Sequence, residues 1–110
     1  ISDTNKQGNY RNEGWVVGGN GTILHTLDAG EHWEHQEGQP VSFLWRVLFK
    51  NQKKGWTVGS EGAILYTENG GQTWIRQQSR TDQWLYDITL ADQKTLYAVG
   101  LYGVVLKNSL

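Results

Sequence analysis

A chain of 110 residues has room for one domain on the usual scale of roughly 100–200 residues. Ten basic against eleven acidic residues leave a net charge of −1, so neither nucleic acid nor an anionic membrane finds an electrostatic footprint. Cysteine is absent, which excludes disulfides and thiolate chemistry, and no apolar run approaches the ~20 residues that cross a bilayer.

Fourteen glycines, one proline, six tryptophans and five tyrosines point to a β-rich, turn-dense chain. Residues 1–13 are polar and match nothing that follows, so they are read as a non-repeat N-terminal segment. At Gly14 a pattern begins. Gly14-Trp15-Val16-Val17-Gly18 returns as Gly55-Trp56-Thr57-Val58-Gly59 and as Leu96-Tyr97-Ala98-Val99-Gly100, a spacing of 41 residues each time. The register holds through Gly21, Gly62 and Gly103, through Leu24, Leu65 and Leu106, and from Trp33 to Trp74. A repeat of this length built from short apolar runs predicts one supersecondary unit used several times, each copy covering the next.

The first unit, 14–39, supplies a strand at 14–18, a two-residue hairpin turn at Asn20-Gly21, and a second strand. A turn at Thr26-Leu27-Asp28-Ala29-Gly30 follows, ending on Trp33. The second unit, 40–80, is complete: strand 43–49, a polar turn at 51–54, strand 55–59, a turn at 60–62, strand 63–67, the Glu68-Asn69-Gly70-Gly71-Gln72 turn and strand 73–78. The third unit, 81–110, repeats the first three of these strands. Consecutive short strands with close turns predict antiparallel four-stranded meanders. Runs such as Trp15-Val16-Val17, Ala63-Ile64-Leu65 and Val104-Val105-Leu106 do not alternate, so both faces of every meander are expected to be covered. The predicted fold is all-β, with the meanders stacked radially as propeller blades, about 2.7 of them in this chain.

Each turn after the third strand has a hydroxyl residue, Asx two later, Gly two later and then an aromatic. The residues are Thr26, Asp28, Gly30 and Trp33, then Thr67, Asn69, Gly71 and Trp74. The hydroxyl and Asx can satisfy turn backbone groups, glycine takes the positive φ, and Trp anchors the turn. The pattern resembles the Asp-box of bacterial neuraminidase repeats. The longer pattern, Gly-Trp-x-Val-Gly-x-x-Gly-x-Ile-Leu-x-Thr-x-Asx-x-Gly-x-x-Trp, resembles the repeats of the photosystem II assembly and stability factor family. It covers about residues 14–108. That resemblance implies a propeller with a scaffold or chaperone-like binding role, without implying photosynthesis.

Catalytic residues are not expected. Sialidase chemistry clusters three arginines, whereas this chain has only Arg11, Arg46, Arg76 and Arg80. Only Arg46 falls on an inner strand, and its equivalent one unit later is Asp87, so the two are expected to pair. His32 and His35, read as strand residues three apart, would face opposite ways, which builds no metal site. No cofactor is expected. The Asp-box turns and the 51–54 turn should share one rim of the propeller; the hairpin tips and the connections between units should share the other. On that second rim Phe43, Glu61, Arg80, Asp82, Trp84 and Tyr102 are the candidate binding residues, since aromatic and charged side chains on loops over a rigid frame suit recognition. Phe43 and Trp84 hold equivalent positions where a core side chain would also fit. The expected function is a non-catalytic protein-binding or assembly scaffold. The alternatives are a glycan-binding module related to Asp-box lectins, or a fragment of a larger propeller. A homo-oligomer formed through the incomplete terminal blades is the expected assembly.

Overall fold

Glycine-punctuated runs of β-branched and aromatic residues fold here as three consecutive meanders. The computed structural model describes residues 12–109; Arg11 and most of the 1–13 segment lie outside the described residues. The first sheet holds β1 (Gly14–Val17), β2 (Ile23–Thr26) and β3 (Glu34–His35) in sequence order. The second holds β4 (Leu44–Phe49), β5 (Gly55–Gly59), β6 (Ile64–Thr67) and β7 (Ile75–Gln77). The third holds β8 (Leu85–Asp92), β9 (Thr95–Gly100) and β10 (Val105–Ser109). Every pairing is antiparallel, so the fold is the all-β blade array expected of the repeat.

The repeat also sets the register. Trp15 lies opposite His25 on β1 and β2, and Trp56 lies opposite Tyr66 on β5 and β6, which is the same pair one unit later. The hairpin between these strands is equally constant. Asn20 and Gly21 have φ of +57° and +65°, Glu61 and Gly62 +57° and +71°, and Tyr102 and Gly103 +57° and +73°. Two successive positive φ values give the turn whose twist suits a two-residue hairpin, and glycine at the second site relieves the steric cost. The N–H of Thr22, Ala63 and Val104 donates across each turn to Gly19, Ser60 and Leu101.

Two strand boundaries differ from those expected. The outer strand of the second sheet starts at Ile75 rather than Thr73, because the Thr73 N–H is captured by the Asn69 side chain at 3.0 Å. His32 likewise sits in a turn rather than on a strand, with its N–H held by Asp28 at 2.8 Å.

Two hydrophobic cores form, one at each junction between sheets. Trp15, Ile23, Leu44, Leu65 and Trp74 fill the first, with Val17, Val41, Val47 and Phe49 against them. Trp56, Val58, Leu85, Ile88, Leu96 and Ala98 fill the second. Strand β5 is the wall between them, and all five of its residues are buried. The outer sheets depart from the expectation of double cover: Val16 is 37 % exposed and Val105 63 % exposed. Among the described residues only the middle sheet has a neighbouring sheet on both faces, and burial follows from that contact.

The two ends of the sheets are distinct. At one, Gly70 N–H donates to Lys53 O, joining the Asx turn to the 51–54 turn. At the other, Asn20 N–H donates to Ser42 O and Leu101 N–H to Trp84 O, joining the hairpins to the connections between units.

Candidate functional site

Strands β4 and β8 are the innermost of their sheets, and each carries a bulge at its start. The register slips between Leu44 and Arg46 on β4, and between Leu85 and Asp87 on β8. A bulge leaves one residue without a cross-strand partner and re-aims its side chain. Here the extra residues are Trp45 and Tyr86, equivalent positions of the repeat. Leu44 and Leu85 turn inward and are fully buried, while Trp45 and Tyr86 turn out, 41 % and 43 % exposed.

Phe43 and Trp84, two residues earlier, join them. Phe43 stacks on Trp45 at 5.4 Å with an interplanar angle of 12°. Trp45 reaches across to Trp84 at 6.0 Å and to Tyr86 at 5.9 Å, and Phe43 meets Trp84 at 6.4 Å. Four rings thus make one exposed aromatic cluster spanning two sheets. Beside it Arg46 Nε lies 3.2 Å from Asp87 Oδ1, both side chains more than half exposed. Exposed pairs of this kind contribute little stability. The role of this one is to place a cation and an anion at the border of an apolar patch.

Of the candidate rim residues, Phe43 and Trp84 enter this cluster instead of a core; Phe43 is 43 % exposed and Trp84 half-buried. Glu61 and Asp82 share a rim cavity of about 620 Å³ with Ser42, Pro40 and Arg76. Arg80 sits on the connection to β8 with φ of +67°, away from the rings, and Tyr102 projects from the last hairpin tip, 88 % exposed. Trp45 and Tyr86 were missing from the sequence-based set. The signal that finds them is the period of two: once Leu44 and Leu85 are core, the residues beside them face out.

The two Asx turns stand at the opposite end and use one network twice. Thr26 Oγ1 donates to Asp28 Oδ1 (2.7 Å) and accepts from the N–H of Asp28 (3.2 Å) and Gly30 (3.0 Å). Asp28 in turn accepts from His32 N–H (2.8 Å) and meets the His32 ring nitrogen Nδ1 at 2.6 Å. In the second unit Thr67, Asn69 and Gly71 repeat this, and Asn69 Nδ2 donates to Thr73 Oγ1 at 2.8 Å. Gly30 and Gly71 take φ of +92° and +90°. Trp74 is buried against Trp15 and Phe49, whereas Trp33 is half-buried over Gly30. The side-chain oxygens of these turns are engaged with their own backbone. Among the described residues no three His, Asp or Glu side chains gather in a group that could hold a metal.

His32 backbone N–H first, then the Thr26 hydroxyl and the His32 ring, hold the Asp28 carboxyl well below the usual carboxylate range. A depressed folded pKa contributes stability above the unfolded value of about 3.8, and that contribution is lost as pH falls through the folded one. Asp28→Asn keeps the acceptor oxygen, as Asn69 does, but removes the charge. The difference in Tm between wild type and this variant is therefore expected to be largest near neutral pH and to shrink toward pH ~2. A pH-independent difference would show that the charge plays no part.

A further buried contact lies between these ends. His25 Nε2 is 2.6 Å from Glu13 Oε2, and the His25 ring stacks on Trp15 at 4.1 Å. This pair is largely buried beside the Trp15 ring.

Among solved structures, a chain described as YCF48 bound to D1 peptide is similar at a TM-score of 0.73 and 24 % identity, over 88 % of this chain and 33 % of that one. YCF48 from Cyanidioschyzon merolae is similar at a TM-score of 0.78 and 18 % identity, over 94 % of this chain and 35 % of that one. At such identities the likeness is one of fold, and the chain spans about a third of the length of each. No curated protein matches the sequence. A family model described as photosynthesis system II assembly factor YCF48 matches it twice in overlapping stretches, residues 4–68 and 39–109, and with nearly all of its length so matched the chain belongs to that family.

Proposed function

We propose that this chain is a non-catalytic assembly scaffold whose repeat region, 14–110, docks an extended segment of a client protein on the inner-strand aromatic cluster. The observation that carries the reading is the ring set Phe43, Trp45, Trp84 and Tyr86, gathered at the bulged starts of β4 and β8 with all but the half-buried Trp84 exposed. Aromatic anchors held rigidly, with an ion pair beside them, are the residue types that dominate protein-binding hot spots. A relative of the same fold has been solved with a peptide bound, which supports a peptide over a glycan as the ligand class. Within this reading the partial unit 14–39, the complete unit 40–80 and the partial unit 81–110 are the three blades of the scaffold. The Asx turns of Thr26, Asp28, Gly30 and Trp33 and of Thr67, Asn69, Gly71 and Trp74 are its struts, and Glu61, Arg80, Asp82 and Tyr102 flank the docking surface on the rim.

An array of short synthetic peptides, a D1 peptide among them, probed beside a glycan array tests this. Saturable binding to peptides is expected, with Trp45→Ala weakening it by about tenfold or more. Binding that ignores changes in the cluster, or saturable binding to glycans alone, would overturn the reading.

A further inference from the structure

The sequence carries two Asn-Gly pairs, Asn20-Gly21 at the first hairpin tip and Asn69-Gly70 in the second Asx turn. Asn-Gly is the dipeptide most open to one intramolecular reaction, because glycine puts no side chain in the way of its own backbone nitrogen. That nitrogen attacks the asparagine Cγ and the new C–N bond closes a succinimide ring. Nδ2 leaves as ammonia, taking the proton that the glycine nitrogen gives up. Water then opens the ring. Addition at Cγ yields aspartate and addition at the backbone carbonyl carbon yields isoaspartate, so the balance is one water in and one ammonia out. Every other asparagine of the chain precedes a residue with a side chain.

The fold treats the two pairs differently. Both asparagines are exposed, so access to water does not separate them. At Asn69 the reacting atoms are held. Oδ1 accepts from the Thr67 hydroxyl at 2.9 Å and from Thr73 N–H at 3.0 Å, and Nδ2 donates to Thr73 Oγ1 at 2.8 Å. The attacking group is occupied as well, since Gly70 N–H donates to Lys53 O at 3.0 Å. At Asn20 neither the carboxamide nor Gly21 N–H has a hydrogen-bond partner among the described residues. What opposes the reaction there is the turn. Left-handed backbone at Asn20, with φ of +57°, turns the next nitrogen away from the side chain, so the tip has to open first. Its closing bonds run from Thr22 N–H and hydroxyl to Gly19 O and from Asn20 N–H to Ser42 O. A hairpin tip opens at far lower cost than a core. We propose that Asn20 is a self-modification site, converting in the folded chain to aspartate and isoaspartate, while the Asx turn protects Asn69.

The position gives the change a consequence. Asn20 lines the rim cavity with Glu61, Asp82 and Arg76, so either product adds a third carboxylate to that lining. Isoaspartate also lengthens the main chain by one methylene inside a two-residue turn. The tip is tied to the start of β4: Gly19 bridges Phe43, and Leu44 N–H donates to Gly18 O at 2.9 Å. Slippage in this hairpin therefore reaches Phe43, the first ring of the aromatic cluster.

Ageing the folded chain at mildly alkaline pH tests this, with peptide mass mapping that separates aspartate from isoaspartate. Asn20 is expected to react about tenfold or more faster than Asn69, since hydrogen bonds hold the reacting atoms at Asn69 alone. In urea, which removes the fold, the two rates should converge. Thr73→Ala deletes an exposed partner of Asn69 Nδ2 and should speed reaction at Asn69 severalfold, with no change at Asn20. Asn20→Gly accepts the positive φ, so this variant should keep its Tm on ageing while wild type loses some of its own. Reaction in the folded chain at Asn69 as fast as at Asn20, or at neither, overturns the proposal. Rates that stay apart in urea would assign the difference to the sequence and overturn the protection of Asn69. An aged wild type carrying isoaspartate at position 20 with an unchanged Tm would overturn the consequence for the hairpin.

Discussion

Trp56→Ala is expected to remove about 3–5 kcal/mol of stability, a large share of the roughly 5–15 kcal/mol that holds a domain of this size. Trp56 is 2 % exposed on β5 and packs with Val58 against Leu85, Ile88, Leu96 and Ala98 of the third sheet. Its ring also lies 5.3 Å from that of Tyr66 on the neighbouring strand. Deleting it opens a cavity that two sheets cannot both collapse into. Trp56→Phe should cost only about 1–2 kcal/mol. The smaller ring loses contacts, but Nε1 is buried without a hydrogen-bond partner among the described residues, so removing that N–H recovers part of a desolvation penalty. The third unit holds Tyr97 at the equivalent position. Denaturant unfolding of both variants, followed by near-ultraviolet circular dichroism, checks this. An alanine variant within about 1 kcal/mol of wild type would mean the second core is not a structural unit.

Gly71→Ala is expected to cost about 2–4 kcal/mol, for two additive reasons. Its φ of +90° strains any L side chain, and an added methyl would run into the Trp15 ring of the preceding unit. Gly30→Ala, the equivalent change in the first unit, separates the two. Gly30 has φ of +92°, but a methyl there would meet Trp33 at 3.5 Å, an ordinary contact. It should carry the backbone strain alone, about 1–2 kcal/mol. Comparing the two Tm values isolates the steric contact between units. Equal losses would show that Trp15 moves aside freely.

Much of this fold is legible in the chain itself because the repeat carries it at three levels. Spacing fixes the units, glycine at 21, 62 and 103 fixes the hairpins, and the Thr–Asx–Gly pattern fixes the turns. What the pattern hides is anything set by the number of neighbours. Val16 and Val105 read as core in a chain of identical blades, yet among the described residues they stand 37 % and 63 % exposed on the outer sheets. The bulges hide for a different reason. A one-residue slip at Leu44 and Leu85 leaves no mark on composition, so Trp45 and Tyr86 read as ordinary strand aromatics. Phe43 and Trp84 stood out because they fall on connections; the rings that complete the cluster fall on strands. The Asx turns were visible in full because their bonds run between residues at most four apart.

The contact of Trp15 with Gly71, Phe49 and Trp74 has an implication for where one unit ends and the next begins. The sequence repeats with a boundary near residue 40, but the free energy does not divide there. Trp15 is seated by the turn of the second unit and Trp56 by strands β8 and β9 of the third, so a single 41-residue copy is missing the seat for its own tryptophan. A pair of adjacent blades seats the first tryptophan and leaves the second, Trp56, to the strands of a third. Growth by duplication of such a chain is then cooperative from the second copy onward, each new blade locking the one before it.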